Sequence, residues 1–401
     1  MSDKFETKKQ SIWNKPFIMV CMLNMLLFFG FYMLVPTFSF FVKSLGGDEA
    51  VVGFVVGIFS VSSVIVRPFI GWFLDHKSRR LLLYVGAAAI IAIVAVYPWV
   101  KLIAIVILLR LLHGVAWSCT TTSVNTAACD IIPRARLGEG LSYFGLTNTL
   151  SMAISPAIGF ALMNNLGFIP LFYTSCSLAV VAFVLSLQMR FPNIEITANS
   201  ASLRPNIRTL LNKDSLPAAA ITLAALLTYG AVQAFVALYA VETKVGSGGI
   251  FFAAMAISVA FARLISGRVA DRRGESVLIF VCNGAIAASL LLIAYGHSLS
   301  LFICAALLYG IGFGTLVPTM QTMALRVAEP EQRGAASSTI LCAFDIGIGM
   351  GGIISGILVK TYGYSNMFTL MVGAAAISLL LYLFWGRRSR SAFKNAMKQE
   401  Q

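Results

Sequence analysis

The sequence predicts an all-α polytopic membrane protein, with twelve transmembrane helices in two six-helix bundles related by pseudo-twofold symmetry. Three observations carry this. Hydrophobic residues make up 58% of the 401 residues and charged residues only 11%, too few charges to cover a soluble domain of this size. Apolar runs of about 20 residues, the length that crosses a bilayer, recur along the chain. The chain also repeats its own landmarks. Arg67, Gly71 and Asp75 read R-x-x-x-G-x-x-x-D, and so do Arg263, Gly267 and Asp271, displaced by 196 residues. Gly53 and Gly249 keep that offset, as do Gly114 and Gly310. Duplication of a helix bundle leaves such a pattern.

The apolar runs place the spans at about 16–42, 51–74, 81–98, 101–125, 140–162 and 168–189, then at about 215–240, 249–270, 276–295, 299–325, 335–359 and 364–386. Spans 3 and 4 meet in a tight turn at Tyr97-Pro98-Trp99. The polar stretch after span 6 carries Pro192 and Pro205 and reads as a linker with a short basic amphipathic segment. The expected organisation is an N-terminal bundle (1–192), a cytoplasmic linker (193–214), and a C-terminal bundle with a basic tail (215–401). Six spans in each half keep the halves in the same orientation, as parallel repeats about an axis along the membrane normal.

The net charge of +14 is a topology signal. Alternate loops and the termini hold 23 Lys and Arg residues, against four in the opposite loops (Lys43, Lys101, Lys244, Lys360). This asymmetry places both termini in the cytoplasm of a plasma (inner) membrane, and excludes a nucleic-acid reading. The seven cysteines lie in or beside apolar spans without any C-x-x-C, so neither a disulfide framework nor a metal site is expected. The first apolar run is too long for a cleavable signal. P-loop, zinc-protease, Rossmann and nucleophile-elbow motifs are absent from the sequence, which gives no support to an enzyme or a cofactor.

Gly71 and Asp75 are followed by His76, Lys77, Ser78, Arg79 and Arg80; Gly267 and Asp271 are followed by Arg272, Arg273 and Gly274. Small residues admit a neighbouring helix. A carboxylate at a helix end accepts hydrogen bonds from basic side chains or a helix N-terminus. G-x-x-x-D with following basic residues, after spans 2 and 8, resembles the signature loop of the major facilitator superfamily. It departs from the family pattern at His76, where Arg or Lys is usual, and at Ser78, where Gly is usual. The resemblance implies a gating latch made by Gly71, Asp75, Arg79, Arg80, Gly267, Asp271 and Arg272. In it, Asp75 would meet the start of span 11 near Ala335 in the outward-facing state.

Arg110 falls about nine residues into the expected span 4, about 14 Å deep and near the bilayer centre. With His113, Gly114, Trp117 and Thr121 it shares one helix face. That face lines a cavity or a helix interface, and the alternative for Arg110 is a structural pairing with a neighbour's carbonyls. R-x-x-x-G resembles the family's span-4 motif, associated with proton coupling, with His113 in place of the usual Gln. His113 is either a proton shuttle or a hydrogen-bonded packing residue. Asp345 is the one acidic residue placed in mid-span, about ten residues into span 11. A buried, unpaired carboxylate there would be neutral and would ionise in wetter or more cationic surroundings, as a proton carrier requires. The alternative is a packing role among the span-11 glycines. Asp345, Arg110 and His113 are thus the proton-coupling candidates.

Ser155, Pro156 and Gly159 on span 5 allow a bend and close packing. They partly resemble the G-P-x-x-G signature of family antiporters, with Ser155 replacing the Gly. Asn24 and Tyr32 on span 1, Tyr229 and Gln233 on span 7, and Tyr309 on span 10 join Trp117 and Thr121 as substrate-cavity candidates, with packing as the alternative for each. The resemblance, read with these residues, implies a monomeric secondary transporter that exchanges protons for a small organic solute, outward, by alternating access. The alternatives are an importer of a sugar or other metabolite, and a non-transporting receptor.

Overall fold

The computed structural model describes residues 12–76, 79–133, 136–189, 212–273, 275–328 and 333–399. The expected linker lies outside them apart from Asn212–Asp214. Twelve of the described helices are long and apolar enough to cross a membrane. With no water to pair exposed amides in a bilayer, a spanning chain closes its hydrogen bonds within helices, which is why the apolar runs fold this way.

Span 1 is built from two helices, Lys15–Leu34 and Phe38–Ser44. Asn14 caps its start by accepting from the Phe17 amide at 2.9 Å, with Pro16 in the first turn. Pro36 lacks an amide donor and interrupts the helix. The Thr37 hydroxyl contacts the Met33 and Leu34 carbonyls at 3.0 and 2.9 Å, supplying a donor at the break. Spans 2 to 6 are Glu49–His76, Arg79–Val96, Ile103–Ile131, Leu137–Leu166 and Phe168–Leu187. Spans 7 to 12 are Leu216–Glu242, Gly248–Arg273, Glu275–Tyr295, Leu299–Val327, Arg333–Tyr362 and Tyr364–Gln399. The turn between spans 3 and 4 is a single 3-10 turn, Tyr97–Trp99.

The duplication visible in sequence is also a duplication of contacts. Gly114 of span 4 sits against Ser62 and the Phe59 carbonyl of span 2; Gly310 of span 10 sits against Ser258 and the Met255 carbonyl of span 8. Every member of one set is 196 residues from its counterpart. In each set the serine donates to that same carbonyl at 2.9 Å. A side chain at either glycine would collide with the facing backbone, so both crossings require glycine. The chain reverses between spans 5 and 6 at Gly167 (φ 87°) and between spans 11 and 12 at Gly363 (φ 80°). These are left-handed turns that favour glycine, again 196 residues apart.

Within the N-terminal half, span 1 packs on spans 5 and 6, and span 4 packs on spans 2 and 3. The C-terminal half repeats this, with span 7 on spans 11 and 12 and span 10 on spans 8 and 9. The halves meet along two seams related by the same symmetry, span 2 with span 11 and span 5 with span 8.

Candidate functional site

The seam between spans 2 and 11 is laced with small residues. Gly53 and Gly57 face Gly349, Gly352, Ile353 and Gly356, and Ser60 faces Gly349. A Cβ on Gly53 would strike the Gly352 carbonyl, and one on Gly356 would strike the Glu49 carbonyl. The backbones therefore touch, and the antiparallel register sets which polar groups meet at either end.

At the end away from the basic loops, Lys360 donates to Asp48 at 2.7 Å, Lys43 pairs with Glu49, and Tyr364 reaches Glu49 at 3.5 Å. Asp48 and Glu49 belong to the N-terminal half and Lys360 and Tyr364 to the C-terminal half, so these contacts seal that face. The hydrogen bond from Lys360, helped by one from the Val51 amide, holds the Asp48 carboxyl below its ordinary range. Toward the other end, Arg67 clasps Asp345: Nε and Nη2 donate to Oδ2 at 2.9 and 2.7 Å. The two side chains are 13% and 20% exposed, which makes this a largely desolvated ion pair between the halves.

Asp345 is therefore not the unpaired carboxylate that the sequence suggests. Its partner is Arg67, the first residue of the R-x-x-x-G-x-x-x-D repeat. Depth also differs from expectation. The apolar part of span 11 is Ser338–Tyr362, so Asp345 lies about 7 Å from its middle on the basic-loop side. Span 4 extends over Ile103–Ile131, which puts Arg110 about 10 Å from its middle on the opposite side. The two candidates occupy different levels of the molecule.

Arg110 lies inside the N-terminal bundle. Its Nε donates to the Val55 carbonyl at 3.2 Å, and its guanidinium sits between the Phe38 and Phe59 rings at 4.8 and 4.5 Å. Its Nη1 has no hydrogen-bond partner among the described residues. His113 Nδ1 lies 3.3 Å from the Tyr97 hydroxyl, with the Phe59 ring edge-on. Trp117 stacks on Phe31 at 4.2 Å. The Thr121 hydroxyl is spent on the Trp117 carbonyl of its own helix, at 2.8 Å. Asn24 donates to Thr147 at 2.9 Å and so ties span 1 to span 5. Beside it, Ser151 donates to the Met25 and Thr147 carbonyls, Ser155 to the Ser151 carbonyl, and Gly159 admits the span-1 backbone at Met33.

The C-terminal candidates form a second cluster. Tyr309 and Thr228 share a hydrogen bond of 2.8 Å, and Tyr229 stacks on Phe313 at 4.5 Å. Gln233, one turn beyond Tyr229, is buried with its Oε1 unpartnered among the described residues. The expected cavity residues are thus packed rather than spread around an open vestibule. Tyr32 stands between the clusters, within electrostatic reach of Tyr229, Asp345 and Arg263. The side chains of Gly71, Asp75, Arg79, Gly267, Asp271 and Arg272 lie outside the described residues, while Arg80 is described and exposed. Among the described residues no group of three His, Cys, Asp or Glu could hold a metal ion.

A two-bundle, twelve-helix membrane fold whose halves are joined across one seam by the Arg67–Asp345 and Lys360–Asp48 pairs defines a multi-pass membrane protein. The sequence profile of the Major Facilitator Superfamily matches residues 20–292 and 218–401, and the chain belongs to that family. It is a transporter with a small-molecule substrate, not an enzyme. It is 24% identical over 356 residues to the staphylopine export protein of Staphylococcus aureus, covering 85% of this chain and 88% of that protein. It is 23% identical over 340 residues to the uncharacterized MFS-type transporter YhhS of Escherichia coli, covering 82% of each. In structure it resembles the nucleoside transporter NupG, with TM-score 0.71, 17% identity, and 92% and 98% of the two chains covered. It also resembles the human organic anion transporter MFSD10, with TM-score 0.69, 16% identity, and 91% and 98% covered. At these identities the structural likenesses speak for the fold alone.

Proposed function

We propose that the protein exports a small organic solute from the cell in exchange for protons, by alternating access, as a monomer in the plasma membrane with both termini cytoplasmic. The observation that carries the coupling is the Arg67–Asp345 pair across the seam. In a seam from which water is largely excluded, opposite charges attract strongly, and one charge left alone is costly. A proton on Asp345 removes the attraction and releases Arg67 to wetter surroundings. The basic-loop end of spans 2 and 11 can then part while the opposite end stays sealed by Asp48 and Lys360. Loss of the proton re-forms the pair and favours the reverse state. Coupling follows if solute and proton favour states of opposite facing. Arg110 and His113, at another level and packed in aromatic rings, are assigned to the rigidity of the N-terminal bundle. The export direction is supported by the S. aureus relative and by Pro156 and Gly159 on span 5.

The test is counterflow and pH-gradient-driven flux of cationic, neutral and carboxylate solutes in oriented proteoliposomes. Asp345→Asn should keep solute exchange under no gradient and lose its response to an imposed pH gradient. Full gradient response in that variant would remove Asp345 from the coupling. Accumulation down an inward-driving gradient would replace export by import.

A further inference from the structure

The two seams carry one arginine each at equivalent positions, Arg67 and Arg263. Arg67 has a carboxylate. The position equivalent to Asp345 on the opposite seam is Thr149, whose hydroxyl is spent on the Gly145 carbonyl at 3.0 Å. Arg263 is partly buried, and its Nε is shielded from solvent with no hydrogen-bond partner among the described residues. Among the described residues no acidic side chain of its own half pairs with it. Apart from Asp345, the acidic residues of the spans stand at helix ends, and Asp345 is taken by Arg67. A guanidinium held in a water-poor seam without a counter-ion is expensive, so a chain that keeps one there leaves a place for a negative charge.

That place borders the centre of the molecule. Arg263 and Asp345 act electrostatically on the same group, the Tyr32 hydroxyl, from two different helices of the C-terminal half. The Tyr32 hydroxyl makes no hydrogen bond to another described residue and is a free donor. Asp345 is already held by Arg67, which leaves the positive charge of Arg263 unmatched beside this hydroxyl. We propose that Arg263, with the Tyr32 hydroxyl, is the subsite for one anionic oxygen-bearing group of the transported solute, a carboxylate or a chemically similar oxyanion. This rests on the transport reading above. In it the solute supplies at the second seam the charge that Asp345 supplies at the first. The planar fork of Arg263 suits two-oxygen recognition, and the hydroxyl fixes which oxygen faces span 1.

The experiment is thermal unfolding of the full chain, purified in neutral detergent, with naphthalene-2-carboxylate and its uncharged match naphthalene-2-carboxamide. The carboxylate should stabilise the wild type at a concentration about tenfold lower than the amide, the size of one net charge-assisted contact. Arg263→Gln should bring the two within about twofold, and Arg263→Lys should keep part of the preference. If Arg263→Gln does not fold, Thr149→Asp serves instead. It provides a built-in counter-charge, and should raise the unfolding temperature without ligand and erase the carboxylate preference. Equal response to acid and amide in the wild type, or a preference retained in Arg263→Gln or Thr149→Asp, overturns the subsite. Stabilisation by phosphatidylglycerol but not by the carboxylate would give Arg263 to a lipid headgroup and likewise overturn it. Counterflow measured in parallel separates the two readings. Arg263-dependent binding without exchange of any solute leaves the subsite standing and removes transport.

Discussion

The two seams between the halves share one ancestry in the repeat but not one chemistry. Spans 2 and 11 touch backbone to backbone through Gly53, Gly57, Gly352 and Gly356, and carry ion pairs at both ends. Spans 5 and 8 meet through bulk instead: Phe160 stacks on Phe252 at 5.9 Å and lies against Gly248 and Gly249. Where the first seam has Asp345, the equivalent position of the second is Thr149. A duplicated scaffold gives each half the same helix crossings, seen in the matched contacts of Gly114 and Gly310. Function then requires the symmetry to be broken where the halves must part and where the solute must bind. The first seam is built as a clasp with its own charges, and the second as an aromatic contact with one charge left over.

The largest effect should come from the clasp. Arg67→Ala or Asp345→Ala leaves its partner unpaired in the seam, a loss of about 3–5 kcal/mol for a desolvated pair. The unfolding temperature in detergent should fall clearly in each single variant. The double variant Arg67→Met with Asp345→Leu should recover most of that loss, because apolar packing replaces a desolvated pair well, yet should not recover gradient-driven flux. A double variant that transports normally would show that the pair holds the seam without coupling it.

A smaller contrast compares equivalent glycines. Gly53→Ala forces a methyl group onto the Gly352 carbonyl, whereas a Cβ on Gly249 meets the Phe160 side chain at 3.3 Å, a tight contact, and no backbone nearer than the Ala157 carbonyl at 4.0 Å. Overpacking of a close seam costs about 1–3 kcal/mol. Gly53→Ala should therefore open the sealed face, read as faster thiol labelling of a cysteine placed at Val52 on a cysteine-free background. Gly249→Ala should label at the wild-type rate. Equal labelling would mean that the two seams are mechanically alike.

Much of this contrast was legible in the sequence. The hydrophobic runs, the 196-residue offset and the turn at Tyr97–Trp99 gave the twelve spans and the two halves, because a bilayer leaves the backbone almost no alternative to helices. Asp345 stood out as the interior acid for the same reason. Its partner did not, because pairing across an antiparallel seam is a matter of register between helices 278 residues apart, and periodicity within one helix carries no such information. Arg110 stood out equally and proved to be enclosed by Phe38, Phe59 and Tyr97, residues of three other spans or turns that no spacing rule brings together. Polar residues such as Asn24 and Thr121 looked like cavity lining on a helical wheel. Asn24 donates to Thr147 and the Thr121 hydroxyl to the Trp117 carbonyl, pairings that only three-dimensional placement reveals.

The smallest effect concerns the exposed pair that closes the outer end of the clasp. Asp48 is held below its ordinary carboxylate range by Lys360 and the Val51 amide. A depressed folded-state value means that its contribution to closure is fully present above the ordinary carboxylate value of about 3.9 and fades as the pH falls through the lower, folded-state value. Between neutrality and pH of about 5, labelling of the Val52 cysteine should therefore be insensitive to this pair, and it should rise only in more acidic solution. Asp48→Asn should remove that acid-dependent rise and set labelling slightly above the wild-type neutral rate, by less than Gly53→Ala does. Salt should act in the same direction, since an exposed pair is screened. An acid response that survives in Asp48→Asn would shift the closure of that face to Glu49 with Lys43 and Tyr364. The glycine contacts would then be the part of the first seam that the second lacks, with its outer ion pair incidental to the clasp.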